Sequence, residues 1–106
     1  MLTAQEARNK AVESRNHVSK INLDRIIARI QDNIRSAINK SLFSVDIDIL
    51  YEELNFVNLD DICKYFTSLN YKISYTDMIA REQKQRNYFR VDTIRINIGK
   101  TFHVEW

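Results

Sequence analysis

The chain has 106 residues and a formal net charge of +2, with 44% hydrophobic and 28% charged residues. This length suits one domain, and the composition is typical of a soluble globular protein. No apolar run approaches the roughly 20 residues that cross a bilayer, and the N-terminus lacks the pattern of a secretory signal peptide. We therefore expect residues 1–106 to form one complete domain in the cytoplasm, without membrane contact.

The sequence contains one glycine, one cysteine and no proline. Nucleotide-binding loops need several glycines for close approach of the backbone to phosphate, so Rossmann and P-loop sites are excluded. Cys63 belongs to an apolar helical stripe, which indicates a small core residue rather than a reactive thiol. We expect neither a cofactor nor a metal.

Two N-terminal helices are predicted, over about 4–20 and 22–41. Thr3 and Glu6 form a capping box that begins the first helix. The apolar pattern changes phase near residues 19–22, which predicts a break there with Asn22 capping the second helix. A single helix of nearly forty residues is the alternative.

The middle of the chain predicts a strand, a helix and a second strand. Apolar and polar residues alternate over 43–49, the period of a strand with one buried face, on which we place Phe43. Asn58 begins a helix over 59–69, which Asn70 ends in the left-handed conformation. A strand over 71–76 follows, and residues 77–87 are either a short helix or a mobile connection.

A C-terminal hairpin is predicted from strands 88–98 and 102–106. A loop of three residues at Gly99 would place the isoleucines of the first strand beside the apolar residues of the second, with Asn97 opposite His103. A bulge is expected at about residues 92–93. The fold class is therefore α+β, with a mostly antiparallel sheet of about four strands and helices on one face.

Charge is segregated along the chain. Residues 1–42 carry eight bases and four acids, residues 43–61 carry six acids and no base, and residues 72–100 carry seven bases and three acids. This layout favours head-to-tail assembly or a partner with its own charge pattern, the alternative being solvated faces.

The first helix carries a candidate oligomer interface. A narrow stripe of small side chains buries little area within one domain, yet it allows close approach of a second copy. Packing of the stripe on its own sheet is the alternative. The candidate interface residues are Ala4, Ala7, Ala11, Ser14 and Val18.

A mixture of basic and aromatic residues over 81–90 is the candidate site for nucleic acid or a phosphate-bearing ligand. Its candidate residues are Arg81, Lys84, Arg86, Tyr88 and Arg90. A weaker hypothesis takes Asp46 and Asp48 as ligands of Mg²⁺ in a nuclease. We expect no catalytic residue, since the serines and histidines form no recognisable constellation.

The pattern as a whole resembles the small α+β accessory proteins of tailed bacteriophages. The resemblance is carried by the capped helix of residues 3–11, the step Leu69-Asn70-Tyr71 into an alternating strand, and a chain that ends on a strand. It implies a host-takeover, counter-defence or assembly role. The leading hypothesis is a non-enzymatic, homo-oligomeric protein that binds a host or phage protein or a small charged ligand. RNA or single-stranded DNA binding and a virion structural role are the alternatives.

Overall fold

The computed structural model describes residues 1–87 and 90–106, and the side chains of residues 81–94 lie outside the description. Within these residues the chain forms two α-helices and one antiparallel sheet of three strands in the order β1-β3-β2. In chain order the elements are α1 (Ala4–Asn39), β1 (Ser44–Leu50), α2 (Leu59–Ser68), β2 (Lys72–Asn87) and β3 (Arg90–Glu105). The α+β class is confirmed, and three strands replace the four that were expected.

Helix α1 is continuous, so the predicted break between two helices near residues 19–22 is wrong. Thr3 caps the helix, because its hydroxyl oxygen accepts a hydrogen bond from the backbone N–H of Glu6 at 3.2 Å. Neither glycine nor proline interrupts the middle of the helix, and Asn22 donates its side-chain N–H to the carbonyl of Asn55 at 2.9 Å rather than capping a helix. The phase change in the sequence marks instead the place where α1 leaves the protein core.

The core lies between the C-terminal half of α1, helix α2 and the apolar side chains of β1 and β3. In β1 the predicted alternation is confirmed, since Ile47 and Ile49 are buried while Asp46 and Asp48 are exposed. Phe43 precedes the strand and is 76% exposed, so its predicted burial is wrong. The buried cluster comprises Ile26, Ile30, Ile34, Ile47, Ile49, Leu54, Ile62, Phe66, Phe102 and Val104.

Helix α2 begins and ends as its sequence predicts, within one residue. The Asn58 side chain accepts a hydrogen bond from the backbone N–H of Asp60 at 3.0 Å, and Asn70 adopts a φ of 69° just beyond the end of the helix. Phe66, Tyr71 and Trp106 then form a row of edge-to-face rings with centroid separations of 5.9 and 6.4 Å. This row connects the helix to the start of β2 and to the end of β3, which lie side by side at one end of the sheet.

Strand β3 passes straight through Gly99, so the predicted three-residue hairpin loop is wrong. Gly99 lies opposite Leu50 of β1 and opposite Met78 of β2. A Cβ atom on Gly99 would lie 2.9 Å from the Cα of Leu50 and in collision with the carbonyl oxygen of Ile49. The glycine is therefore required for the close approach of β1 to the central strand rather than for a turn.

The segment predicted as a short helix or mobile connection, residues 77–87, continues strand β2 instead. Its backbone pairs with β3 from Ile79 opposite Asn97 to Asn87 opposite Arg90. No register shift falls at residues 92–93, and the shifts lie instead at Met78/Ile79 and at 85–87. Beyond Met78 and Gly99 the two strands form a ribbon without β1, since the register of β1 stops at Gly99.

The molecule is extended for its length. Its Cα radius of gyration is 18.9 Å, against the roughly 13 Å expected of a compact chain of about 100 residues. Its principal extents are 60 × 47 × 18 Å. Among the described residues, neither helix combines the length and apolar character needed to cross a membrane.

Candidate functional surfaces

The N-terminal part of α1, residues 4–21, extends away from the core and is here called the arm. Residues 1–18 are all exposed, including every member of the small-residue stripe. At about 100° per residue, the centre of this stripe lies roughly 120° around the helix from the core-facing isoleucines. The stripe therefore does not pack on its own sheet, and its five candidate residues form one free face of the arm.

A cleft lies beside the arm, between the helix and the loop that joins β1 to α2. It has a volume of about 300 Å³ and is lined by Arg8, Ala11, Val12, Arg15 and Phe56. Phe56 is 55% exposed and has a φ of 61°, a left-handed conformation that is unusual for a bulky residue. We call this feature the Arg cleft, because two arginines line it, and we call its apolar helix residues Ala11 and Val12 its floor.

The loop between β1 and α2 is held by contacts from α1. Arg29 forms an ion pair with Glu53 at 2.5 Å and donates a second hydrogen bond to the carbonyl of Asp48 at 2.9 Å. The Glu53 carboxylate also accepts from the backbone N–H of Leu50 at 3.3 Å. These bonds fix the start of the loop relative to α1.

The end of β1 and the start of this loop present acids and apolar side chains together. Asp48 and Glu52 are exposed, and between them Leu50 and Tyr51 are 43% and 44% exposed. Ile49 points into the core and is fully buried. We call Asp48, Leu50, Tyr51 and Glu52 the acidic stripe.

The polar side of the sheet carries a histidine between two carboxylates. The ring nitrogens of His103 lie 2.5 Å from Asp46 and 2.7 Å from Glu105. Hydrogen bonds to Glu105 and then to Asp46 raise the pKa of His103 above its ordinary value. The sequence did not reveal this cluster, because the erroneous hairpin placed His103 opposite Asn97, and only the pairing of β1 with β3 brings Asp46 to it.

The magnesium hypothesis finds no support in the arrangement of the carboxylates. Asp48 accepts a hydrogen bond from the Thr101 hydroxyl at 2.7 Å, and Asp46 is engaged by His103. Among the residues that the structure describes, no group of three or more His, Cys, Asp or Glu side chains could hold a metal ion. Cys63 is partly buried, and burial, followed by the nearby Asp60, raises the pKa of its thiol, which disfavours reactivity.

A salt bridge stabilises the end of the ribbon that adjoins β1. Lys100 forms a salt bridge with Asp77, and its ammonium nitrogen lies 5.8 Å from the centroid of the Tyr75 ring. Hydrogen bonds from Lys100 and Asn97 lower the pKa of Asp77, and the bond to Asp77 raises the pKa of Lys100. This salt bridge thus connects β2 to β3 at the point where β1 ends and the ribbon begins.

The ribbon contains the four basic residues of the predicted site. The strand spans place Arg81, Lys84 and Arg86 on β2 and Arg90 on β3. The pairing puts Arg81 opposite Arg95 in the backbone register. Tyr88 lies outside the described residues, as do the side chains of the other four. The backbone therefore brings the four basic residues of the predicted site into one ribbon.

Comparison with protein-family models, curated proteins and solved structures found no match to this chain. Neither a relative nor a structural neighbour therefore supplies a function. The arm, the Arg cleft, the acidic stripe and the ribbon are the features from which function can be inferred.

Proposed function

We propose that this chain is a non-enzymatic binding protein that acts as a homo-oligomer through its arm. The observation that carries the proposal is the exposure of residues 1–18 on a helix that continues into the core. The candidate interface residues Ala4, Ala7, Ala11, Ser14 and Val18 share one face of that exposed helix.

The energetics of an unpacked helix support a partner for the arm. The arm gains little stability from tertiary contacts, because helices in proteins gain most of their stability from packing an apolar face. Along the stripe, the small side chains permit close approach of another backbone. Val18 and Ile21, at the base of the arm, are 36% and 43% exposed, so a partner there would also bury larger apolar groups.

The biological setting belongs to the same proposal. The resemblance to small accessory proteins of tailed bacteriophages favours action in the cytoplasm of a host cell. Host-takeover, counter-defence and assembly are the roles it implies, with a host protein, a phage protein or a small charged molecule as the target. A virion structural role is the further possibility, which recovery of the protein in purified particles would reveal.

The oligomer is tested by native mass spectrometry of untagged protein. Wild type is expected as a discrete oligomer, and Ala7→Glu or Ala11→Glu is expected to lower the mass while leaving the C-terminal core folded by circular dichroism. Asn9→Glu is the matched control, because Asn9 is also exposed on the arm but lies roughly 180° from the centre of the stripe. A wild-type monomer, or unchanged mass in both alanine variants, would refute the proposal.

Nucleic-acid binding through the ribbon is the second candidate. The observation in its favour is the continuation of β2 and β3 as a two-stranded ribbon through the basic segment, since a row of basic residues along such a ribbon can follow the phosphates of RNA or single-stranded DNA. Binding of labelled oligonucleotides should then fall steeply with added salt and be abolished by Arg81→Ala with Arg86→Ala. Lys40→Ala with Lys64→Ala is the control, because these exposed lysines lie at the C-cap of α1 and on α2 rather than on the ribbon. Salt-independent binding, or no binding, would exclude this candidate.

A further inference from the structure

The arm cannot pair with itself without opposing like charges. On the arm, Arg8 and Arg15 flank one side of the small-residue stripe, and Lys10 and His17 flank the other, all of them exposed. In an antiparallel pair of arms each arginine would face the partner's arginines. In a parallel pair the arginines would face Lys10 and His17. Both symmetric arrangements therefore place base against base.

The arginine side of the stripe is the less neutralised of the two. Residues three or four positions from Lys10 and His17 include Glu6 and Glu13, whereas the corresponding neighbours of the two arginines are uncharged. Among the described residues, neither Arg8 nor Arg15 has a carboxylate at salt-bridge distance. The Arg cleft consequently presents two uncompensated positive charges beside an apolar floor.

We infer that the Arg cleft binds the acidic stripe of a second copy of this chain, which rests on the homo-oligomer proposed above. The stripe has the complementary chemistry: two exposed carboxylates with the half-exposed Leu50 and Tyr51 between them. In the complex the apolar pair lies against the floor of the cleft and the Phe56 ring, and the carboxylates face the two arginines. Apolar side chains surrounded by charges of opposite sign are the ordinary composition of a specific interface.

The spacing of the charges agrees with this pairing. Arg8 and Arg15 are seven residues apart on a helix, which separates their Cα atoms by about 10.5 Å. Asp48 and Glu52 are four residues apart, a separation of at most about 13 Å in an extended chain. The turn that starts at Leu50, whose carbonyl accepts from the backbone N–H of Glu53 at 3.0 Å, shortens that separation.

The contact can close as a two-fold dimer in which each arm holds the partner's loop. In such a dimer the Arg cleft of each copy contacts the acidic stripe of the other. The two contacts are identical because they are related by the two-fold axis. Ala11 belongs both to the small-residue stripe and to the Arg cleft. A substitution of Ala11 would therefore disturb both the small-residue stripe and the Arg cleft.

Charge exchange tests the inference directly. The arm variant carries Arg8→Glu with Arg15→Glu, and the loop variant carries Asp48→Lys with Glu52→Lys. Each alone should weaken self-association by about tenfold or more, because it opposes like charges. An equimolar mixture of the two variants should regain the oligomer, since the acidic arm then meets the basic loop, and a variant with all four changes should also assemble.

A matched control separates a specific effect from a change of net charge. Lys20→Glu with Lys64→Glu changes the net charge equally at exposed positions outside the Arg cleft and the small-residue stripe, and it should retain the wild-type mass. Circular dichroism of every variant verifies the fold, and self-association is measured by native mass spectrometry and sedimentation velocity. Retention of the oligomer in the arm variant, or failure of two folded variants to complement each other, would overturn the inference.

The two proposals fail in distinguishable ways. A wild-type protein that is monomeric at all concentrations refutes the homo-oligomer itself. An oligomer that Ala7→Glu disrupts but that the two charge variants leave intact keeps the homo-oligomer and refutes the pairing of the Arg cleft with the acidic stripe.

Discussion

Replacement of Gly99 by alanine is the sharpest test of the sheet topology, because it separates a central strand from a hairpin turn. The added Cβ would lie 2.9 Å from the Cα of Leu50 and 3.0 Å from the carbonyl carbon of Ile49. Ordinary carbon contacts are about 3.5–4.0 Å, so the backbones must separate by at least roughly 0.5–1 Å, and the carbonyl oxygen of Ile49, the atom nearest to the added Cβ, must move further. The atoms in conflict belong to the main chain of β1, which cannot relieve the clash by changing a side-chain rotamer.

The expected destabilisation follows from two opposing terms. Overpacking of this kind costs about 1–3 kcal/mol, and backbone atoms place the cost near the upper end. Replacing glycine by alanine lowers the conformational entropy of the unfolded chain, which offsets about 0.4–1 kcal/mol of this cost. The net loss is about 2 kcal/mol, which at about 4 °C per kcal/mol lowers the Tm by roughly 8 °C.

Thermal unfolding followed by circular dichroism, together with urea titration, measures this loss. Ser74→Ala is the control, because Ser74 is an exposed strand residue whose substitution should change the free energy of unfolding by no more than about 0.5 kcal/mol. If Gly99→Ala matched the control in stability, the close approach of β1 at Gly99 would be refuted.

Three further predictions concern the core, the polar cluster and the end of α2. Phe66→Ala should lower the free energy of unfolding by about 3–5 kcal/mol because the ring is fully buried, whereas Phe43→Ala, at an exposed ring, should change it by less than about 0.5 kcal/mol in the same urea titration. The pKa of His103, followed by NMR, should exceed its ordinary value of 6.5 and fall in Asp46→Asn. Because the pKa of His103 is higher in the folded protein than in the unfolded chain, protonated His103 should stabilise the fold fully below about pH 6.5. This stabilisation should disappear as the pH rises through the pKa of the folded protein. A free energy of unfolding that does not depend on pH in this range would contradict the prediction. At the left-handed Asn70, Asn70→Ala should cost about 1 kcal/mol while Asn70→Gly should be tolerated, and equal stabilities of the two variants would exclude backbone strain as the cause.

The elements whose signals are local were predictable from the sequence. The cap at Asn58, the left-handed Asn70 and the alternation of β1 each depend on residues within a few positions of one another. These signals correctly located β1, α2 and the start of β2. The exposed arm could be suspected for the same reason, since a stripe of small residues buries little area in any packing.

The continuity of α1 and β3 was not predictable in this way. A phase change in an apolar pattern is compatible with a helix that ends and with a helix that leaves the core, and only the position of the core relative to α1 decides between them. The pattern around Gly99 was equally ambiguous, because a three-residue loop and an uninterrupted strand both keep alternate residues on one side. The cluster at His103 depended on this choice and was missed with it.

The sequence by itself determined which residues prefer helix or strand, which side of each element is apolar, and how charge is distributed along the chain. Only the tertiary structure decided that β1 pairs with residues 99–105 of β3, which turns Gly99 from a turn residue into a site of close backbone approach. The physical reason is that local periodicity specifies the face of a strand but not its neighbour. The neighbour is chosen by burial and hydrogen bonding between segments some fifty residues apart, which no local pattern records.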